Sequence, residues 1–315
     1  MSATSNTKDL GALRQAGLER IRPSRPFVSV GLGTCGIGNG ADTLRDALQA
    51  AAATSHSKAV VRRVGCFGFC AAEPLVMAYR PGKPVLLFTD VKASRATRFI
   101  ESLADDAAFD KLAKTATAKI ENWDFRTASV DFGAGFPFLP TWNELPFFKG
   151  QEKIVLRDAG LIDPESIEEY LGAGGYSGLV RALTSMKPEV VIEELKKSKL
   201  RGRGGAGFPT YRKWEIMRAQ ANTSRVVICN ADEGDPGAYM NRNEIESDPH
   251  MLVEGMAIGA YAMGAAEGFV YVRAEYPPAP RYSSMLSGSM RPASRRTSFS
   301  WPLKKGSSFH RGRKS

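Results

Sequence analysis

At 315 residues, with 43% apolar content, the chain has room for two domains of about 150 residues each and enough apolar side chains to fill their cores. Its net charge of +10 would suggest nucleic acid or an anionic membrane, but nine Lys/Arg and no Asp/Glu fall within residues 277–315, so the body is near neutral and offers no electrostatic case for nucleic acid. Four cysteines are too few for a disulfide framework and fit a reducing, cytoplasmic setting, while the three histidines sit in no nucleophile–base arrangement, so hydrolase-type triads have no support.

Residues 1–26 read as a polar arm with a short helical pattern, and without an apolar stretch they do not read as a secretory signal. Residues 27–115 alternate. PFVSVGLG is β-like, ADTLRDALQAAA is helical, KAVVRRVG and EPLVMAY are β-rich, PVLLFTDV follows a Pro-Gly turn, and ATRFIESLADDAAFDKLA is helical again. The order β-α-β-β-α predicts a compact thioredoxin-like layer. Within it Cys66-x-x-x-Cys70 has metal-ligand spacing.

Residues 116–150 change character. Trp123, Phe125, Phe132, Phe136, Phe138, Trp142, Phe147 and Phe148 lie among Gly and Pro without periodicity. They predict an irregular linker whose aromatics pack on a neighbouring surface. From residue 151 the pattern is α/β: PESIEEYL and PEVVIEELKKS are helices opening with Pro and acidic residues. Met251–Ala266 is shorter than the roughly 20 residues of a membrane span and reads as a buried helix, so no direct membrane insertion is expected. Cys229, inside the β run RVVICN, reads as a small core residue.

Gly202-Arg203-Gly204-Gly205-Ala206-Gly207 matches G-x-G-x-x-G, yet a charged helical segment precedes it, not a strand. An ordinary Rossmann loop therefore fails on context, and no Gly-Lys-Ser/Thr makes it a Walker loop. Four glycines in six positions let backbone N–H groups approach a phosphate. Pro209 can open the following helix, and Lys213 lies one turn in. A plain flexible loop is the competing reading. Further on, Asn230-Ala231-Asp232-Glu233-Gly234-Asp235 places three carboxylates after a short strand. Aimed at hydroxyls and ring N–H groups, they would complement a phosphate-binding loop around a flavin nucleotide. A Mg²⁺ or Ca²⁺ site, without EF-hand spacing, and a solvated acidic turn remain open.

LRGRGGAGFPTYRKW followed by ICNADEGDPGAYMNRNEIESDPHMLVEG resembles the flavoprotein subunit of respiratory NADH dehydrogenase, and more closely the diaphorase subunits of NAD(P)-linked hydrogenases and formate dehydrogenases. The likeness runs from about Pro146 to Tyr276. It implies a partial Rossmann-like FMN-binding domain over 151–276, with hydride passing from NAD(P)H to FMN and electrons onward to iron–sulfur clusters. It implies FMN contacts at Gly202, Gly204, Lys213, Asn230, Asp232 and Glu233, with Gly207 completing the loop. Phe208 would stack on the adenine of NADH and Asp235 would face NADH. Tyr211 stands where the family has glycine. Partners would be the other subunits of such a complex.

Residues 27–115 resemble the thioredoxin-like [2Fe–2S] domain of the partner subunit, with Cys35, Cys66 and Cys70 as ligands. The companion of Cys35 is expected four or five residues earlier, where Val30 and Gly31 stand. Residues 277–315 carry ten serines and no acids and are expected to be disordered and translated out of frame. The family's later segments, including a [4Fe–4S] domain, are then missing, so NADH oxidation is expected to be weak. The alternatives are an inactive or assembly-only fragment, and a nucleic-acid-binding protein acting through the basic tail.

Overall fold

The structure, a computed structural model, describes residues 3–222, 224–273 and 296–300. Two compact units divide it: Met1–Gly174 with Asn243–Asp248, and Gly175–Arg242 with Pro249–Ser315.

The first unit opens with α1 (Ala3–Ile21). It continues through β1 (Phe27–Gly31), α2 (Thr34–Gly38), α3 (Ala41–Thr54), β2 (Val60–Val64), β3 (Val76–Tyr79), β4 (Val85–Phe88), α4 (Ala96–Glu101), α5 (Asp106–Ala113) and β5 (Ala118–Ile120). The sheet order is β2-β1-β3-β4-β5. β1 and β2 run parallel around the α3 crossover, while β3, β4 and β5 are antiparallel to their neighbours. Val28, Val30, Val76, Ala78, Leu86 and Phe88 project from the sheet into a core shared with Leu44 and Leu48 of α3 and Phe99 and Ile100 of α4. The segments expected as strands and helices are observed as such, but three strands, β2, β3 and β4, stand between α3 and α4 where the order β-α-β-β-α has two, and β5 follows α5.

The boundaries differ from expectation at both ends of this unit. The polar arm with a short helical pattern expected over 1–26 carries the 19-residue helix α1, which crosses α6 (Ile167–Gly172) so closely that a Cβ on Gly17 would lie 1.9 Å from the Glu168 carbonyl oxygen. The stretch 116–150 is more than a linker. It contributes β5 to the sheet and forms the hairpin β6 (Asn122–Asp124) and β7 (Ser129–Asp131), and Phe136 joins the core. Three-residue strands are too short to show a period of two, which is why the sequence gives no strand signal there. Helix α6 starts at Ile167 rather than at Pro164, because the Ser166 side chain caps it by accepting from Glu169 N–H. Buried charges are matched here: Arg62 pairs with Glu169 at 2.8 Å, and Arg126 reaches Asp248 at 3.1 Å and Asp158 at 3.4 Å.

The second unit contains α7 (Ser177–Ser185), α8 (Pro188–Ser198), α9 (Thr210–Arg218), β8 (Val226–Ala231), α10 (Met240–Ser247), α11 (Pro249–Met263) and β9 (Glu267–Val272). The last residues of α10 group with the first unit. Strands β8 and β9 are parallel, and α11 is the apolar part of the connection between them. Ala182, Val191, Ile192 and Ala262 form one core cluster between α7, α8 and α11; Met256 and Val270 form another with Cys229 packed against it. Helix α8 has Pro188 in its first turn, as expected, and ends at Lys199 in the left-handed region. Arg296–Ser300 form β10, antiparallel to β9, so this stretch of the basic tail has a strand conformation. The remainder of the tail lies outside the described residues. Among the described residues no helix is long and apolar enough to cross a membrane.

Candidate functional site

The glycine loop joins α8 to α9 and is pinned at its base. Gly202 N–H donates to the Phe208 carbonyl at 2.8 Å, Thr210 N–H to that of Leu200 at 3.1 Å, and Arg201 Nε to that of Gly207 at 2.6 Å. Between these pins Gly205 (φ +102°) and Gly207 (φ +60°) adopt left-handed conformations that side chains rarely accept. The N–H groups of Arg203, Gly204, Gly205 and Ala206 make no hydrogen bond among the described residues. A Cβ built on Gly204 meets nothing within 4 Å.

The loop borders a cavity of about 620 Å³. Gly202, Gly204, Gly207, Phe208 and Lys213 line it, as do Thr210, Trp214 and Met217 from one face of α9, Val226–Ile228 of β8, and Met263. Five of the nine residues expected to hold cofactor are thus brought together. Thr210, Trp214 and Met217 were missed, although with Lys213 they recur at helical spacing and could have been read as one face of α9. Ile228 is 64% exposed toward this space and Phe208 41%. Tyr211 does not narrow the cavity; it packs with the α7–α8–α11 cluster.

The acidic loop is arranged differently from expectation. Asn230, Asp232, Glu233 and Asp235 do not line the cavity. The Glu233 carboxylate accepts from the N–H groups of Asn241 (2.8 Å) and Arg242 (3.1 Å), satisfying two donors in the first turn of α10. Tyr239, the residue before that helix, cannot cap it through its ring, and Glu233 does so from a backbone with φ +46°. Asn230 Oδ1 accepts from Asp232 N–H, forming a local turn.

In the first unit, Cys66 Sγ lies 3.7 Å from Cys70 Sγ. Hydrogen bonding to Cys70, and then burial, hold the Cys66 thiol well above its usual range. Glu73 is buried, and burial pushes its carboxyl up to about 7. Its Oε1 has no hydrogen-bond partner among the described residues and lies 3.2 Å from where a Cβ on Gly31 would stand. The Cys66–Cys70 loop is anchored by aromatics: Lys153 Nζ sits 3.7 Å from the centre of the Phe67 ring, which also meets Trp123, Trp142 and Phe148.

A [2Fe–2S] cluster takes four protein ligands. The fourth is absent at Val30 and Gly31, Glu73 fills the space beside Gly31, and no group of three or more His, Cys, Asp or Glu converges among the described residues. Cys35, Cys66 and Cys70 therefore do not make the expected ligand set by themselves. FMN fits better. Unused N–H groups, a helix N-terminus and a lysine meet the needs of a phosphate, and the apolar wall of Trp214, Met217 and Ile228 suits a ring.

A glycine-rich loop with idle N–H groups, opening a helix over a cavity beside parallel strands, is an arrangement that a nucleotide's phosphate fits. The comparisons sharpen that reading. Residues 195–287 match the family model described as Nuo51 FMN-binding domain, and the match extends past Tyr276, where the motifs gave out. The chain is 54% identical over 129 residues to NADP-reducing hydrogenase subunit HndC of Solidesulfovibrio fructosivorans, covering 41% of this chain and 26% of that protein. It is 54% identical over 112 residues to an NADH-quinone oxidoreductase subunit of Aquifex aeolicus (36% and 26%). It is 50% identical over 91 residues to NAD-reducing hydrogenase HoxS subunit alpha of Cupriavidus necator (29% and 15%). The resemblance read from the two motifs is borne out, while the chain spans about a quarter or less of the length of these three relatives. A chain in the crystal structure of NAD⁺-reducing [NiFe]-hydrogenase in the air-oxidized state aligns at 20% identity over 90% of this chain and 47% of its own, with a TM-score of 0.33, too low to speak for the fold.

Proposed function

We propose that this chain binds FMN in the loop–α9–β8 cavity and serves as part of an NAD(P)H-oxidising electron-input subunit of an NADH dehydrogenase, hydrogenase or formate dehydrogenase complex. The observation that carries this reading is the idle N–H row of Arg203–Ala206 at the mouth of the cavity, within the segment that matches an FMN-binding family model. Bound FMN would supply the ring that takes hydride from the nicotinamide and releases electrons singly. The chain's own residues bind and orient it. Gly202, Gly204 and Gly207 admit the phosphate to the backbone, Lys213 offsets its charge, and Trp214, Met217 and Ile228 keep water from the ring. Phe208 offers its exposed face to the adenine of the dinucleotide. No step of this reading runs through a [2Fe–2S] cluster. The thioredoxin-like assignment of residues 27–115 rests on the strand and helix order, and the peripheral, cytoplasmic location on the kinds of complex named.

A second reading, an assembly-only fragment, is favoured by the acidic residues lying off the cavity, with Glu233 committed to α10. Anaerobic addition of NADH to the FMN-loaded chain separates the two. Bleaching of the flavin absorbance supports the electron-input reading; an unbleached flavin at saturating NADH supports the assembly role.

A further inference from the structure

The Cys66–Cys70 pair has a chemistry that the flavin reading does not use. The two sulfurs are 3.7 Å apart, against about 2.05 Å in a disulfide. Gly68 at φ +92° turns the three-residue loop back on itself, so the two sulfurs meet. Cys66 is buried and Cys70 is half-buried, so Cys70 is the more accessible residue of the two. Glu73 occupies the space beside Gly31 that a further thiolate would need for a cluster. The loop also has something to report with: Phe67 is locked in the Trp123–Trp142–Phe148 cage and Phe69 stacks on Phe147 at 4.6 Å.

We infer that Cys66 and Cys70 form a reversible dithiol–disulfide pair, a redox-sensitive site in the N-terminal unit whose oxidant is a low-molecular-weight disulfide of the glutathione type. The more accessible Cys70 thiolate attacks one sulfur of glutathione disulfide, giving a mixed disulfide and releasing one glutathione. Cys66 sulfur then attacks the Cys70 sulfur, forming the Cys66–Cys70 bond and releasing the second glutathione. Two electrons pass to the glutathione disulfide, and the two thiol protons leave on the two glutathione thiols. The inference does not depend on the flavin reading.

The test uses the full chain, equilibrated anaerobically in glutathione/glutathione disulfide mixtures, acid-quenched, alkylated and mapped by peptide mass. Labelling at Cys66 and Cys70 should fall together by about tenfold or more between the reducing and oxidising ends and recover on reduction. Cys229 should stay labelled throughout. In C66S, Cys70 should accumulate as a mixed disulfide with glutathione; in C35S the pair should behave as in the parent chain. Continued labelling of both cysteines at the oxidising end overturns the inference, as does a bond from Cys35 to either of them. Reconstitution with ferrous iron and sulfide gives a separate check. Two irons per chain, shielding Cys66 and Cys70 from label and lost in C35S, would make the pair cluster ligands and overturn it too.

Discussion

Two single residues carry most of the energetic argument. Lys213 is the full positive charge on the cavity wall, and a charge-assisted contact to phosphate exceeds a neutral one. Lys213→Ala should therefore weaken FMN binding about tenfold, equivalent to about 1.4 kcal/mol, as measured by quenching of flavin fluorescence; an unchanged affinity would detach the lysine from the phosphate. Glu73 is the other. Its carboxyl rises from 4.5 to about 7 on folding, chiefly through burial. Between those values the folded chain holds a proton that the unfolded chain has released, so stability falls as pH rises through this window and levels off above it. The loss should be about 3 kcal/mol for a shift of this size. Urea unfolding of the parent chain and of Glu73→Gln at several pH values checks this: the variant should lack that part of the slope, and identical slopes would refute it.

Elements were legible where a local signal decided them. Pro188 at the start of α8 and the glycines between α8 and α9 mark both helix and loop in the sequence, because backbone chemistry alone fixes them. The short strands β5, β6 and β7 were not legible, since three residues hold too little pattern and their pairing is a tertiary fact. The role of Glu233 was hidden for a similar reason: its carboxylate is spent on α10 by a backbone turn that no spacing rule announces. The α1–α6 crossing is the clearest case of structure that only packing reveals. A methyl on Gly17 would stand 1.9 Å from the Glu168 carbonyl oxygen, whereas one on Gly11 meets nothing within 4 Å. Gly17→Ala should cost about 1–3 kcal/mol by overpacking, while Gly11→Ala should be neutral or gain a few tenths up to about 1 kcal/mol from helix propensity. Chemical denaturation that ranks the two the other way would place α1 elsewhere.

For the whole molecule, the two units answer to different parts of the sequence reading. The second unit contains the glycine loop and most of the segment matched by the FMN-binding family model. The first unit holds the five-stranded sheet β2-β1-β3-β4-β5, with Cys66 Sγ and Cys70 Sγ 3.7 Å apart. The central claim is that the loop between α8 and α9 holds FMN. Because a Cβ at residue 204 meets no atom of the described residues within 4 Å, a larger side chain there starts out in open space, and it is expected to block what occupies that space rather than the fold. The most direct measurement is FMN titration of the parent chain and of Gly204→Leu, with circular dichroism confirming that both are folded. The account predicts saturable one-to-one binding by the parent chain, and at least about tenfold weaker binding by the variant. Equal FMN affinity in two folded proteins, or no binding by the parent chain, would contradict it.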